Sequence, residues 1–257
     1  MKKLIYKTLS FTLFLLLACT HNGIADEETE CIILLHGLVR TERSMLKLER
    51  YLKNHGFHVI NIGYPSREKD IQTLSVETIN KAIKECEKVN PIKIHFVTHS
   101  MGGILVRYYL ETNKINNLGR IVMLSPPNQG SEAVDKFKEL SLFKWLNGPA
   151  GSQLGTDKDS LPNKLGPPDY EVGIITGDRT TNPILSMIIP GKDDGKVSVE
   201  KAKLAGMKDF LVVHKSHPFI IKDEDIMNQV IYFIENGVFQ RKPNLSNNIA
   251  DKFQEKP

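Results

Sequence analysis

Cysteine is scarce in this chain of 257 residues, with one at each of positions 19, 31 and 86. Three cysteines exclude a small disulfide-framework fold, and their spacing matches no zinc pattern. No apolar run reaches the roughly 20 residues a membrane-spanning helix needs. No internal repeat and no long biased tract is visible, so neither a solenoid nor default disorder describes the body of the chain. An excess of one charge is also missing. Lys and Arg number 34 and Asp and Glu 30, but Lys2, Lys3 and Lys7 belong to an N-terminal segment unlike the rest. Without that segment the charges nearly balance, and there is no electrostatic case for nucleic acid.

That segment, residues 1–25, reads as a signal peptide: the three lysines lead into the apolar run Leu9–Ala18, too short to span a bilayer. Two processing sites compete. Leu16-Leu17-Ala18-Cys19 resembles a bacterial lipobox, with Cys19 lipidated, although Leu17 is larger than the usual residue there. Gly23 and Ala25 supply the small-residue pattern of ordinary cleavage after Ala25. The lipobox is preferred, because a cysteine rarely falls at the end of such a run by chance. The expectation is export from a bacterial cytoplasm, lipid-anchored to a membrane in the preferred reading and soluble in the other. Cys31 and Cys86 are expected to be two isolated, buried or half-buried thiols, Cys31 opening an apolar strand and Cys86 lying in a charged helical stretch.

Beyond the signal, strand-like and helix-like segments alternate. Strands are expected at 31–35, 58–62, 92–97, 121–124, 172–176 and 211–213, from short, mostly apolar runs, with Gly63-Tyr64-Pro65 halting the second and Ser125-Pro126-Pro127 the fourth. Helices are expected at 42–54, with Met45, Leu48 and Leu52 on one stripe, at 73–89, with Val76, Ile79 and Ile83, at 101–112 and at 220–236. This alternation predicts an α/β fold, a mostly parallel sheet flanked by helices, over 30–237. Residues 128–170 break the rhythm with an amphipathic stretch (Val134, Phe137, Leu140, Phe143, Trp145, Leu146) and then a Gly/Pro-rich one. They are expected to be a small lid or cap inserted over the sheet edge. Residues 240–257 form a polar tail.

The sharpest feature is the strand 92–97 followed by Thr98-His99-Ser100-Met101-Gly102-Gly103 and a helix. A serine on such an abrupt strand-to-helix turn stands clear of the backbone at a helix N-terminus, whose dipole favours developing negative charge. The usual pattern is Gly-x-Ser-x-Gly, and Thr98 departs from it. Acyl transfer also needs two backbone N–H groups aimed at the oxyanion. The residue after the serine, Met101, is one source. The loop after the first strand, His36-Gly37-Leu38, is the other, and is assigned to Leu38. An acid and a histidine should follow the serine in the chain. Asp178 and the pair Asp193-Asp194 are the acid candidates. Only His214 and His217 come later still. His217 lies in a loop proper, whereas His214 sits nearer the strand and reads as structural. A His-x-x-His metal site has no third ligand nearby. His99 is read as packing or substrate-facing.

These residues carry a resemblance to bacterial lipases and esterases of the α/β-hydrolase superfamily. It rests on His-Ser-Met-Gly-Gly at 99–103, Ser-Pro-Pro-Asn-Gln-Gly at 125–130 and Asp-Gly-Lys-Val-Ser at 194–198. The likeness selects Asp194 as the acid and leaves Asp193 and Asp178 as solvated or turn-forming residues. It implies a carboxylic ester hydrolase working through Ser100, His217 and Asp194, with no cofactor and no metal, on an ester or acyl-lipid substrate. An acyltransferase or thioesterase would use the same triad. An exported, non-catalytic binding protein on this fold is the remaining alternative, with Thr98 the one feature in its favour.

Overall fold

Cys31-Ile32-Ile33-Leu34-Leu35 is apolar at every position because both faces of its strand are covered. In the computed structural model, which describes residues 29–241, Ile33 and Leu35 pack into one buried cluster and Ile32 and Leu34 into another on the opposite side. The signal segment, Cys19 and nearly all of the polar tail lie outside the described residues.

Six strands form one parallel sheet: β1 (Glu30–Leu35), β2 (His58–Ile62), β3 (Lys93–His99), β4 (Leu118–Leu124), β5 (Val172–Gly177) and β6 (Asp209–Val213). The order β2-β1-β3-β4-β5-β6 reverses direction between β1 and β3. Loops leaving those two strands therefore part to opposite sides and open a crevice at the carboxyl edge of the sheet. The register pairs Leu35 with Thr98, which sets the loop after β1 beside the serine turn after β3.

Helices α1 (Leu46–Asn54), α2 (Ile71–Glu87) and α3 (Met101–Thr112) fall where the periodicity places them. Met45, Leu48 and Leu52 are all buried. On α2 the stripe is displaced from the expected one: Val76 is exposed, and Ser75, Ile79, Ala82 and Cys86 turn inward. Asp70 caps this helix, its carboxylate accepting the Thr73 N–H at 2.7 Å. The interval 128–170 is inserted between β4 and β5 and holds α4 (Glu132–Phe137), α5 (Ser141–Ser152), kinked at Gly148-Pro149, and the single turn α6 (Leu161–Lys164). Two further turns, α7 (Pro183–Ser186) and α8 (Val199–Ala202), were not expected. The chain closes on α9 (Glu224–Asn236), stopped by Gly237 in the left-handed conformation.

The expectation of isolated thiols at 31 and 86 is overturned, since the two cysteines form a disulfide with Cα atoms 5.9 Å apart. The charges around Cys86 belong to the outer face of α2, while Cys86 itself ends the inward stripe, directly over the start of β1. In the chain-entropy treatment, closing a loop of this length, a separation of 55 positions, contributes about 4 kcal/mol to stability.

Candidate active site

Ser100 lies between β3 and α3 with φ +53° and ψ −123°, a backbone region that costs a non-glycine residue roughly 1–3 kcal/mol. The turn closes only because its neighbours are small. A Cβ on Gly102 would come within 2.6 Å of the Leu35 carbonyl oxygen. A Cβ on Gly103 would meet Met123 Sδ at 3.2 Å and Thr98 Oγ1 at 3.3 Å. The second glycine thus faces the threonine, so the turn tolerates Thr98 in place of the usual glycine.

The loop after β1 is held from β2. The His36 ring stacks on Tyr64 with centroids 4.0 Å apart, and the Tyr64 hydroxyl donates to the His36 carbonyl. The Tyr64 N–H donates to His36 Nε2 at 3.4 Å, and His36 Nδ1 lies 2.9 Å from the Gly37 carbonyl, so the proton sits on Nδ1. Burial lowers the His36 pKa, keeping the ring neutral. Val39, at φ +58°, donates its N–H to Ser66 Oγ at 3.1 Å. Leu38 is pinned between these two anchors.

The two Asp–His pairs differ sharply in burial. Asp194 Oδ2 is 2.8 Å from His217 Nδ1, with side-chain exposures of 0% and 5%. Asp194 Oδ1 accepts the N–H groups of Lys196 (3.0 Å) and Val197 (2.9 Å). Burial alone would raise the Asp194 pKa, but His217 and the Val197 N–H hold it below the ordinary carboxylate range. The His217 N–H returns to the Asp194 carbonyl at 2.9 Å, which ties the two loops together. Asp178 pairs with His214 instead, at 2.9 Å, and the His214 side chain is 76% exposed. His214 is therefore a surface residue rather than a structural one. Asp193 is a turn former, accepting the Gly195 N–H at 2.7 Å, but it is buried and not solvated.

Ser100 and His217 open on one cleft of about 320 Å³, with Gly37, Leu38 and His99 in its wall. His99 does double duty. It lines the cleft, and its Nε2 donates to the His217 carbonyl at 3.0 Å, with the two rings 4.7 Å apart. Burial, then the neighbouring His217, pushes the His99 pKa well below its ordinary value. Met101 opens α3, so its N–H is one of the helix's unpaired first-turn donors. Among the described residues no group of three or more His, Cys, Asp and Glu is arranged to hold a metal.

Two supports escaped the sequence reading. Buried Arg107 on α3 donates to the carbonyls of Asn128 (2.8 Å) and Leu165 (2.9 Å), pinning both ends of the insertion. Asn128 Nδ2 in turn donates to the Ala202 carbonyl at 2.9 Å. An arginine among Ile104, Leu105, Val106 and Leu110 was the available signal.

The insertion divides into two kinds of apolar residue. Val134, Phe137, Phe143 and Leu154 line the cleft. Leu140, Leu142, Trp145 and Leu146 face solvent, with Trp145 70% exposed. Replacing Leu142 and Trp145 by serine should reduce hydrolysis of emulsified long-chain esters severalfold while sparing soluble short ones, since both side chains are mostly exposed and lie outside the cleft lining, Trp145 meeting the Arg67 guanidinium 5.7 Å from its ring centre. Phe143→Ala should reduce both. Paired assays on emulsion and solution check this, and equal losses for the outer pair make α5 a structural cap.

Fold and site define a protein of the α/β-hydrolase class. Within it, the chain belongs to the palmitoyl protein thioesterase family, whose model matches residues 31–162. It is 26% identical to the lysosomal thioesterase PPT2-B of Xenopus laevis over 133 residues, 50% of this chain and 45% of that one. The chain thus matches less than half the length of that relative. Among solved structures it is similar to the mature lipase BlEst2 of Bacillus licheniformis, with a TM-score of 0.64 and 18% identity over 82% of this chain and 93% of that one. An esterase from Exiguobacterium antarcticum matches with a TM-score of 0.54 and 14% identity over 81% and 93%.

Proposed function

We propose that the chain hydrolyses carboxylic esters or thioesters of acyl chains through an acyl-enzyme on Ser100. The observation that carries this reading is the buried Asp194–His217 pair opening on the same cleft as a serine in a strained strand-to-helix turn. His217 takes the Ser100 proton as the hydroxyl oxygen attacks the carbonyl carbon. Asp194, accepting from Nδ1, keeps Nε2 free for that proton and stabilises the imidazolium. The N–H groups of Leu38 and Met101 receive the oxyanion. His217 then hands the proton to the departing alcohol or thiol, and water attacks the acyl-enzyme by the same route in reverse. No step requires a cofactor or a metal. Labelling by a serine-directed fluorophosphonate tests the assignment: the wild type should label and Ser100→Ala should not. The alternative of a non-catalytic binding protein predicts no labelling of either.

Export and anchoring belong to the same proposal. A fully buried disulfide suits an oxidising compartment, and the exposed apolar side chains of α5 suit a membrane surface. On this reading Cys19 carries acyl chains, each buried methylene adding about 0.8 kcal/mol to attachment. Fractionating cells and sequencing the mature N-terminus should find a blocked Cys19 in the membrane, and Cys19→Ser should release the protein. A free N-terminus at Asp26 in the wild type replaces the anchored form with a soluble one.

A further inference from the structure

Two cations flank the proposed nucleophile without an acidic partner. Arg40 follows the loop that carries Leu38, Lys196 follows the Asp194 turn, and both border the cleft that holds Ser100 and His217. Neither lies within ion-pair distance of a carboxylate among the described residues, and both remain solvent-accessible. The Asp194 charge does reach Lys196, but its two oxygens are already taken by His217 and by the Lys196 and Val197 N–H groups. Arg40 and Lys196 are close enough to feel each other: the dense surroundings of the cleft wall and the Arg40 charge both lower the Lys196 pKa. Like charges lining one cleft repel, and an anion bound there offsets that repulsion and offers both a hydrogen-bond acceptor.

The rest of the cleft lining assigns the two ends of a substrate. Val134, Phe137, Phe143 and Leu154, all from the insertion, offer an apolar wall to an acyl chain. Arg40 and Lys196 come from the loops after β1 and β5, which also carry the oxyanion donor Leu38 and the acid Asp194. Arg40 also borders a hollow of about 410 Å³ whose polar lining includes Thr41, Ser44, Ser66, Arg67 and the carboxylate of Glu68, which gives the polar part of a substrate room to continue.

We infer that the leaving group of the substrate carries an anion, a phosphate or a carboxylate, a few bonds from the scissile ester, and that Arg40 and Lys196 receive it. This rests on the serine-hydrolase reading above and narrows it to acyl esters or thioesters whose alcohol or thiol carries an anion.

A matched pair of substrates tests it: 1-palmitoylglycerol 3-phosphate against 1-palmitoylglycerol, which share the acyl chain and ester and differ in the phosphate. Wild type should favour the phosphate ester in kcat/KM by roughly tenfold or more, the size expected of charge-assisted contacts. In Arg40→Gln and in Lys196→Gln that ratio should collapse toward one, whatever loss the two substrates share, and rising salt should lower the wild-type ratio. Lys196→Arg should keep it. A wild-type ratio near one, or variants that keep the preference, overturns the anion site. No turnover of either ester while Ser100 still labels with fluorophosphonate overturns the anion site alone. Loss of labelling removes the serine-hydrolase reading along with it.

Discussion

Replacing Ser100 by alanine is expected to lower turnover of a soluble p-nitrophenyl ester by on the order of a million-fold, while the protein stays folded. The size follows from the chemistry. The other serine lining the cleft, Ser131, gives its hydroxyl to the Lys196 carbonyl, whereas Ser100 occupies the strained strand-to-helix turn on the cleft of His217, so the acyl-enzyme is expected on Ser100 alone. What remains is the part of catalysis that oxyanion donors and binding supply to water. The fold survives because alanine keeps the Cβ, occupies the same backbone conformation and disturbs none of the contacts at Gly102 and Gly103. Steady-state rates with a thermal melt check both halves of the statement. Comparable activity in the variant removes Ser100 from the mechanism.

Asp194→Asn is expected to cost about ten-thousand-fold in kcat on the same ester. The carboxylate accepts from His217 Nδ1 at 2.8 Å, whereas an amide nitrogen at that position presents a donor. The ring then protonates on Nε2 to avoid two facing donors, and the nitrogen needed to take the serine proton is blocked. The two neighbouring acids make sensitive controls. Asp193 holds the Gly195 N–H and takes no hydrogen bond from His217, so Asp193→Asn should cost stability before it costs rate. Asp178 pairs with a histidine in the open, where such contacts are worth roughly 0–1 kcal/mol, and Asp178→Asn should leave kcat within about twofold. A large loss in Asp178→Asn, with Asp194→Asn near wild type, would transfer the acid to the end of β5.

The strands and the helices α1, α2, α3 and α9 were legible because each is a local pattern: apolar runs for strands covered on both faces, a stripe every three or four residues for helices. The serine turn was legible for a similar reason, since strand, small residues and helix adjoin in sequence. Pairing at a distance was not. Asp194 and Asp178 both follow β5 at loop distance, and nothing in the residues alone says which reaches His217. Resemblance chose Asp194, and the 0% exposure of its side chain marks the physical difference. The disulfide is hidden in the sequence because charges flank Cys86, while its inward direction follows only from the helical spacing Ser75, Ile79, Ala82, Cys86. His36 and Tyr64 belong to separate loops, and their stacking depends on β1 and β2 being neighbours. The cations Arg40 and Lys196 reach one cleft only once β1 and β5 bring their loops to the same edge.

The bond between Cys31 and Cys86 ties the fold's strength to where the chain is made. About 4 kcal/mol is a large share of the roughly 5–15 kcal/mol that separates a folded domain from its unfolded chain. If the chain is exported as proposed, the reduced precursor is held only loosely while it waits to be threaded through a narrow translocation channel. Oxidation on the far side then locks α2 onto the first strand of the sheet. On that proposal the same residue pair would serve two opposite needs in biogenesis, a chain soft enough to pass and an enzyme firm enough to persist.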